Sequence, residues 1–80
     1  MARLKVHLTF SGETIKRPLI YEIGQEFKVV TNIRKANVDG KTGWVDLEIT
    51  GEGEEIDRAV EALKEKGVRV DPIEGDVIEG

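Results

Sequence analysis

Apolar and polar residues alternate from the start of the chain. Leu4, Val6, Leu8 and Phe10 are interleaved with Arg3, Lys5, His7 and Thr9, a period of two that predicts a strand with one buried face. Ser11-Gly12-Glu13-Thr14 then supplies turn chemistry. Pro18 suits the first turn of a helix, where its missing N–H costs nothing, and Leu19, Ile20, Ile23 and Phe27 recur at helical spacing. These signals predict a first helix from Arg17 to about Glu26. Gly24 weakens it by about 1 kcal/mol relative to Ala, and its missing Cβ predicts a close approach of helix to sheet.

Val29 to about Val38 reads as a second strand with a phase slip. Val29, Thr31 and Ile33 share one parity, Ala36 and Val38 the other, and a β-bulge near Arg34–Lys35 repairs the phase. Asp39-Gly40 signals a hairpin turn. It leads into a third strand with Val45, Leu47 and Ile49 facing inward and Trp44, Asp46, Glu48 and Thr50 facing outward. Ile56, Ala59, Val60 and Leu63 form one stripe of a second helix, with Glu54 and Glu55 at its start, Lys64 and Lys66 near its end, and Gly67 as terminator. Val68 and Val70 begin a short last strand closed by Pro72.

The order β-α-β-β-α-β predicts an α+β fold of the ferredoxin-like split type: a four-stranded antiparallel sheet with two helices on one face. The first and third strands are central and the second and fourth lie at the edges. The domain is expected to span residues 1–73, and residues 74–80 form an acidic tail expected to fray.

The sheet face away from the helices receives Arg3, Lys5, His7 and Thr9 from one central strand and Trp44, Asp46, Glu48 and Thr50 from the other, with Arg69 beyond. Cross-strand charge pairing is the expectation there. An uncovered sheet is also where small domains associate, which makes Trp44 a candidate interface residue. His7, the single histidine, has no acid at a spacing that predicts a triad with Ser11 or Thr9, and no catalytic residue is expected. No His and carboxylate spacing predicts a metal site. Asp39-Gly-Lys-Thr-Gly43 joins strand to strand and lacks the phosphate-loop frame.

Composition narrows the possibilities further. Eighty residues make one domain. Cysteine is absent, which excludes disulfides and thiolate-held clusters or metals, and no cofactor is expected. A net charge of −4 and aromatic residues scattered away from the cations argue against nucleic acid as a partner. No apolar run approaches a membrane span, and the start of the chain has no signal-peptide pattern, so a cytoplasmic location without membrane insertion is expected.

Asn32 stands out inside its β-branched strand, because its amide competes for backbone hydrogen bonds. It either bonds its own surroundings or touches a ligand. The segment Val30-Thr-Asn32-Ile33-Arg-Lys-Ala-Asn-Val38-Asp, followed by Gly43-Trp-Val-Asp-Leu-Glu-Ile-Thr-Gly51, resembles the NIL domain, a family that takes its name from an Asn-Ile-Leu run at the second strand. Leu8 to Gly12, Pro18-Leu-Ile, Ala59 to Leu63 and Gly67 to Asp71 extend the resemblance over about residues 4 to 73. Arg34 departs from it, standing where the family has Leu.

Such domains are found at the C-terminus of methionine-importer ATPases, where they resemble ACT-type regulatory domains, bind methionine and pair up. They also precede [4Fe–4S] ferredoxin modules. The resemblance therefore implies an amino acid ligand, a homodimer, and an associated ATPase or ferredoxin. Asn32, Ile33, Ser11 and Gly12 become candidate ligand contacts: an amide able to hold a carboxylate or ammonium, an apolar neighbour for a thioether, and a loop lacking a Cβ. Trp44 and Arg34 become candidate interface residues. The alternative is a protein-association domain with no ligand of its own.

Overall fold

A computed structural model of the chain describes residues 1–73 and 78–79. Its elements are β1 (Ala2–Ser11), α1 (Glu13–Lys16), α2 (Leu19–Glu26), β2 (Val29–Val38), β3 (Thr42–Gly51), α3 (Gly53–Glu65), β4 (Arg69–Pro72) and β5 (Ile78–Glu79). The strands are ordered β2-β3-β1-β4, with β5 also pairing with β1, and every pairing is antiparallel. This is the expected ferredoxin-like α+β arrangement, with β1 and β3 central.

The alternating apolar residues of the central strands make the floor of the core. Val6, Leu8 and Phe10 from β1 and Val45, Leu47 and Ile49 from β3 are buried. Leu19 and Ile23 of α2 and Ile56, Ala59 and Leu63 of α3 close over them. Burying each large aliphatic side chain contributes roughly 1.5–3 kcal/mol before entropy is counted. The end of α3 is set locally. Gly67 takes φ 93°, its N–H donates to the Lys64 carbonyl at 3.0 Å, and the Val68 N–H donates to the Leu63 carbonyl at 3.0 Å. This is the Schellman closure that the left-handed conformation of a glycine permits.

Three details differ from expectation. Arg17 is not helical but extended, at φ −101° and ψ 141°, because the ring of Pro18 disfavours the α region for the residue before it. The helix therefore starts at Leu19, and the Pro18 carbonyl accepts the Glu22 N–H at 2.9 Å. The segment read as a turn contains a helical turn of its own, α1. Thr14 Oγ1 accepts the Ser11 N–H at 2.9 Å and donates to the Ser11 carbonyl at 2.8 Å, and Gly12, at φ 58°, makes the reversal between β1 and α1. Gly24 makes no close approach to the sheet, since a Cβ built there meets no atom within 4 Å.

The bulge lies where the phase slip placed it. Ile33 stands opposite Leu47 and Lys35 opposite Asp46, with the register shift between Ile33 and Lys35. In the hairpin loop the Asp39 carboxylate accepts the N–H groups of Lys41 and Thr42, both at 2.8 Å. Of the tail expected to fray, residues 74–77 and 80 lie outside the described residues, while Ile78 and Glu79 pair with Arg3 and Ala2.

Candidate functional site

Helix and strand lengths leave part of the sheet bare. α2 has 8 residues and spans about 12 Å at 1.5 Å per residue; β2 has 10 residues and spans about 33 Å at 3.3 Å per residue. The near end of β2 is held: Val29 is buried, and the Lys28 N–H donates to Glu55 of α3 at 2.9 Å. The far end runs out from under the helices, and every residue from 32 to 38 is exposed.

An apolar groove of about 390 Å³ fills the angle between that bare half-strand and the start of α2. Phe10, Ile15, Leu19, Ile20, Ile33 and Val38 wall it, and Thr14 and Arg17 are its polar margin. Arg17 is engaged by Glu22, its guanidinium donating to the carboxylate at 2.7 Å. Ile33 and Val38 are 54% and 60% exposed, large apolar side chains that the folded chain leaves facing solvent. The size and lining are those of a small-molecule pocket.

The candidate ligand residues are not gathered in one place. Ile33 lies on the helix side and lines the groove. Asn32, one residue earlier, leaves the opposite face of β2, opposite Glu48, because successive strand side chains alternate. Its amide is exposed and makes no hydrogen bond among the described residues. Ser11 pairs with Thr42 at the far end of β1, whereas Asn32 stands at the level of Glu48 and Lys5, roughly 20 Å back along the strands at 3.3 Å per residue. Ser11 and Gly12 thus do not join Asn32; they hold α1, whose Thr14 and Ile15 line the groove. Sequence reasoning missed Ile15, Ile20 and Val38, though the mismatch between a short helix and a long strand could have pointed to them.

On the bare face, Trp44 stacks on His7 with ring centres 5.4 Å apart. An acid does stand beside His7: its Nδ1 lies 2.6 Å from Asp46 Oδ1, a contact across 39 residues of sequence that only the strand register reveals. Among the described residues Asp46 is the imidazole's hydrogen-bond partner. The expected cross-strand charge pairing is present between β1 and β3, with Arg3 beside Glu48 at 4.0 Å, while Arg69 lies beside Asp71 of its own strand at 3.0 Å. Arg34 lies at the bulge on this same side. Among the described residues no cluster of His, Asp or Glu is placed to hold a metal, and no helix is long and apolar enough to cross a membrane.

The sequence profile of the NIL domain matches residues 4–72. The chain is a member of the NIL-domain family. It is 33% identical over 72 residues to the methionine import ATP-binding protein MetN of Bacillus subtilis, covering 85% of this chain and 21% of that protein. Methionine import ATP-binding protein MetN 2 of Enterococcus faecalis is likewise 33% identical over 72 residues, with the same shares covered. The chain thus spans about a fifth of the length of these relatives. Among solved structures, the C-terminal domain of an ABC transporter ATP-binding protein from Enterococcus faecalis superposes with a TM-score of 0.81 at 30% identity, covering 91% of this chain and 86% of that one. A de novo designed protein, Foldit4, shares the fold with a TM-score of 0.57 at 20% identity. Within this NIL domain the Asn32-Ile33-Arg34 run sits on the exposed edge strand and leads into the bulge.

Proposed function

We propose that this NIL domain is a non-enzymatic regulatory module that senses an amino acid, with methionine as the favoured ligand, at the exposed edge of β2, and that it pairs with a second copy there. One observation carries the reading: an edge strand bare from residue 32 to 38, with an apolar groove running along it. An unbranched apolar side chain fits the groove against Ile33, Val38 and Ile20. Asn32 and Ile33 are neighbours whose side chains leave opposite faces of one edge, so a ligand lying across that edge reaches both. The amide offers two donors and an acceptor for the ammonium and carboxylate, and the outward backbone groups of an edge strand are available to a partner strand. The relatives are methionine import ATP-binding proteins by name, which favours methionine over other apolar amino acids.

Calorimetric titration with methionine at millimolar concentration tests this, repeated on Asn32→Ala and Ile33→Asp. Saturable heat that weakens in both variants supports it; absence of heat in the unaltered chain contradicts it. The long exposed strand, with Val30, Ile33 and Val38 all more than half exposed, favours as a second reading a protein-association domain without a ligand. Sedimentation separates the two, since a dimer indifferent to methionine belongs to the second.

A further inference from the structure

The bare side of the sheet holds a second hollow, of about 260 Å³, lined by Lys5, Arg34, Lys35, Asp46, Leu47 and Ile73. It lies across the sheet from the apolar groove and does not depend on it. The bulge builds it. Ile33 opposes Leu47 and Lys35 opposes Asp46, leaving Arg34 as the inserted residue. A regular strand would send Arg34 and Lys35 to opposite faces; the extra residue re-aims them so that both line the same hollow. On the far side, the Ile73 N–H donates to the Lys5 carbonyl at 3.1 Å and sets Ile73 as an apolar wall.

Among the described residues three cations, Lys5, Arg34 and Lys35, and one carboxylate, Asp46, line this hollow. Of the described carboxylates on this face, Asp46 is hydrogen-bonded to the His7 imidazole at 2.6 Å, Glu48 lies beside Arg3 at 4.0 Å and Asp71 beside Arg69 at 3.0 Å. Arg34 and Lys35 have no ion pair or hydrogen bond among the described residues. A chain of net charge −4 thus places an excess of cations over carboxylates, among the described residues, at one concave spot. A planar guanidinium fork beside a compact ammonium is the pairing that holds phosphoryl oxygens.

We propose that this hollow binds the phosphoryl group of a small ligand. That excess of positive charge matches the dianion that a phosphate monoester carries at neutral pH better than the single charge of a carboxylate. Arg34 is then the residue that binds most directly, through two parallel N–H donors, and Lys35 adds charge.

The test titrates the full chain with inorganic phosphate at neutral pH and constant ionic strength. Two readouts follow it: the amide shifts of residues 33–36 and the fluorescence of Trp44, the single tryptophan, which stacks on the His7 that Asp46 holds. Saturable binding is expected, weakened about tenfold or more by Arg34→Leu, as loss of a charge-assisted hydrogen-bonded pair implies. Lys35→Gln should weaken it similarly, and Lys41→Gln in the hairpin loop should leave it unchanged. Both altered side chains of the hollow are exposed, and circular dichroism melts check that the variants fold. Acetate at equal concentration should give no saturable response. Phosphate binding that survives Arg34→Leu combined with Lys35→Gln, equal response to acetate, or no response to phosphate would each overturn the proposal.

Discussion

β2 and β3 are arms of one hairpin, ten residues each and hydrogen-bonded along their length, yet their environments are opposite. In β3 every second residue from Gly43 to Gly51 is buried, whereas in β2 only Val29 is. The difference does not come from strand propensity, since both runs are rich in β-branched residues. It comes from position: β3 has a strand on each side and helices above it, while β2 lies at the edge and outruns α2. Side chains of the same chemistry therefore do different jobs. Leu47 and Ile33 face each other across the ladder; Leu47 is 1% exposed and closes the core, and Ile33 is 54% exposed and lines a groove.

This contrast is breakable by substitution. Leu47→Ala should destabilise the domain by about 2–5 kcal/mol, because it leaves a cavity in a packed core. Ile33→Ala should cost under about 1 kcal/mol, as exposed positions usually do. Denaturant unfolding of both measures the gap, and equal losses would mean that Ile33 is packed as tightly as Leu47. Gly24→Ala in α2 sharpens the picture from above the sheet. The added methyl meets nothing, so stability should rise by roughly 0.5–1 kcal/mol, with no change at the groove; a loss in thermal melts would reveal a contact to Gly24 in the assembled protein.

The turn joining the two strands gives the smallest effect. Backbone N–H groups of Thr42 and Lys41 donate to the Asp39 carboxylate and hold its pKa below the usual aspartate range. A depressed folded value means that this support is complete above the unfolded pKa of about 3.9 and is lost as pH falls through the folded one. Asp39→Asn should therefore flatten the acid limb of the stability curve slightly, and an unchanged limb would show that the turn does not contribute.

The fold was legible because its signals are local and periodic. Period two marked β1 and β3, the stripe Ile56-Ala59-Leu63 marked α3, and the parity slip located the bulge to within a residue. α2 starts two residues later than its pattern predicts, at Leu19 rather than Arg17, because Pro18 acts on Arg17, the residue before it, as well as on its own position. The site was far less legible. Asn32 was noticed for its side chain, but sequence adjacency to Ile33 hid that alternation sends the two to opposite faces. The His7–Asp46 contact needed a register, and the groove needed the relative lengths of α2 and β2 rather than any motif. Arg34 reads in the sequence as a departure from the family run and a candidate interface residue; that it lines one hollow with Lys35 follows from the bulge.

The proposed ligand site is the bare edge of β2. Amide chemical shifts recorded during a methionine titration test it residue by residue. Saturable changes are expected at Asn32 to Val38 and at Leu19 to Tyr21, with α3 silent. Changes confined to α3 and β4, or none at saturating methionine, would contradict it.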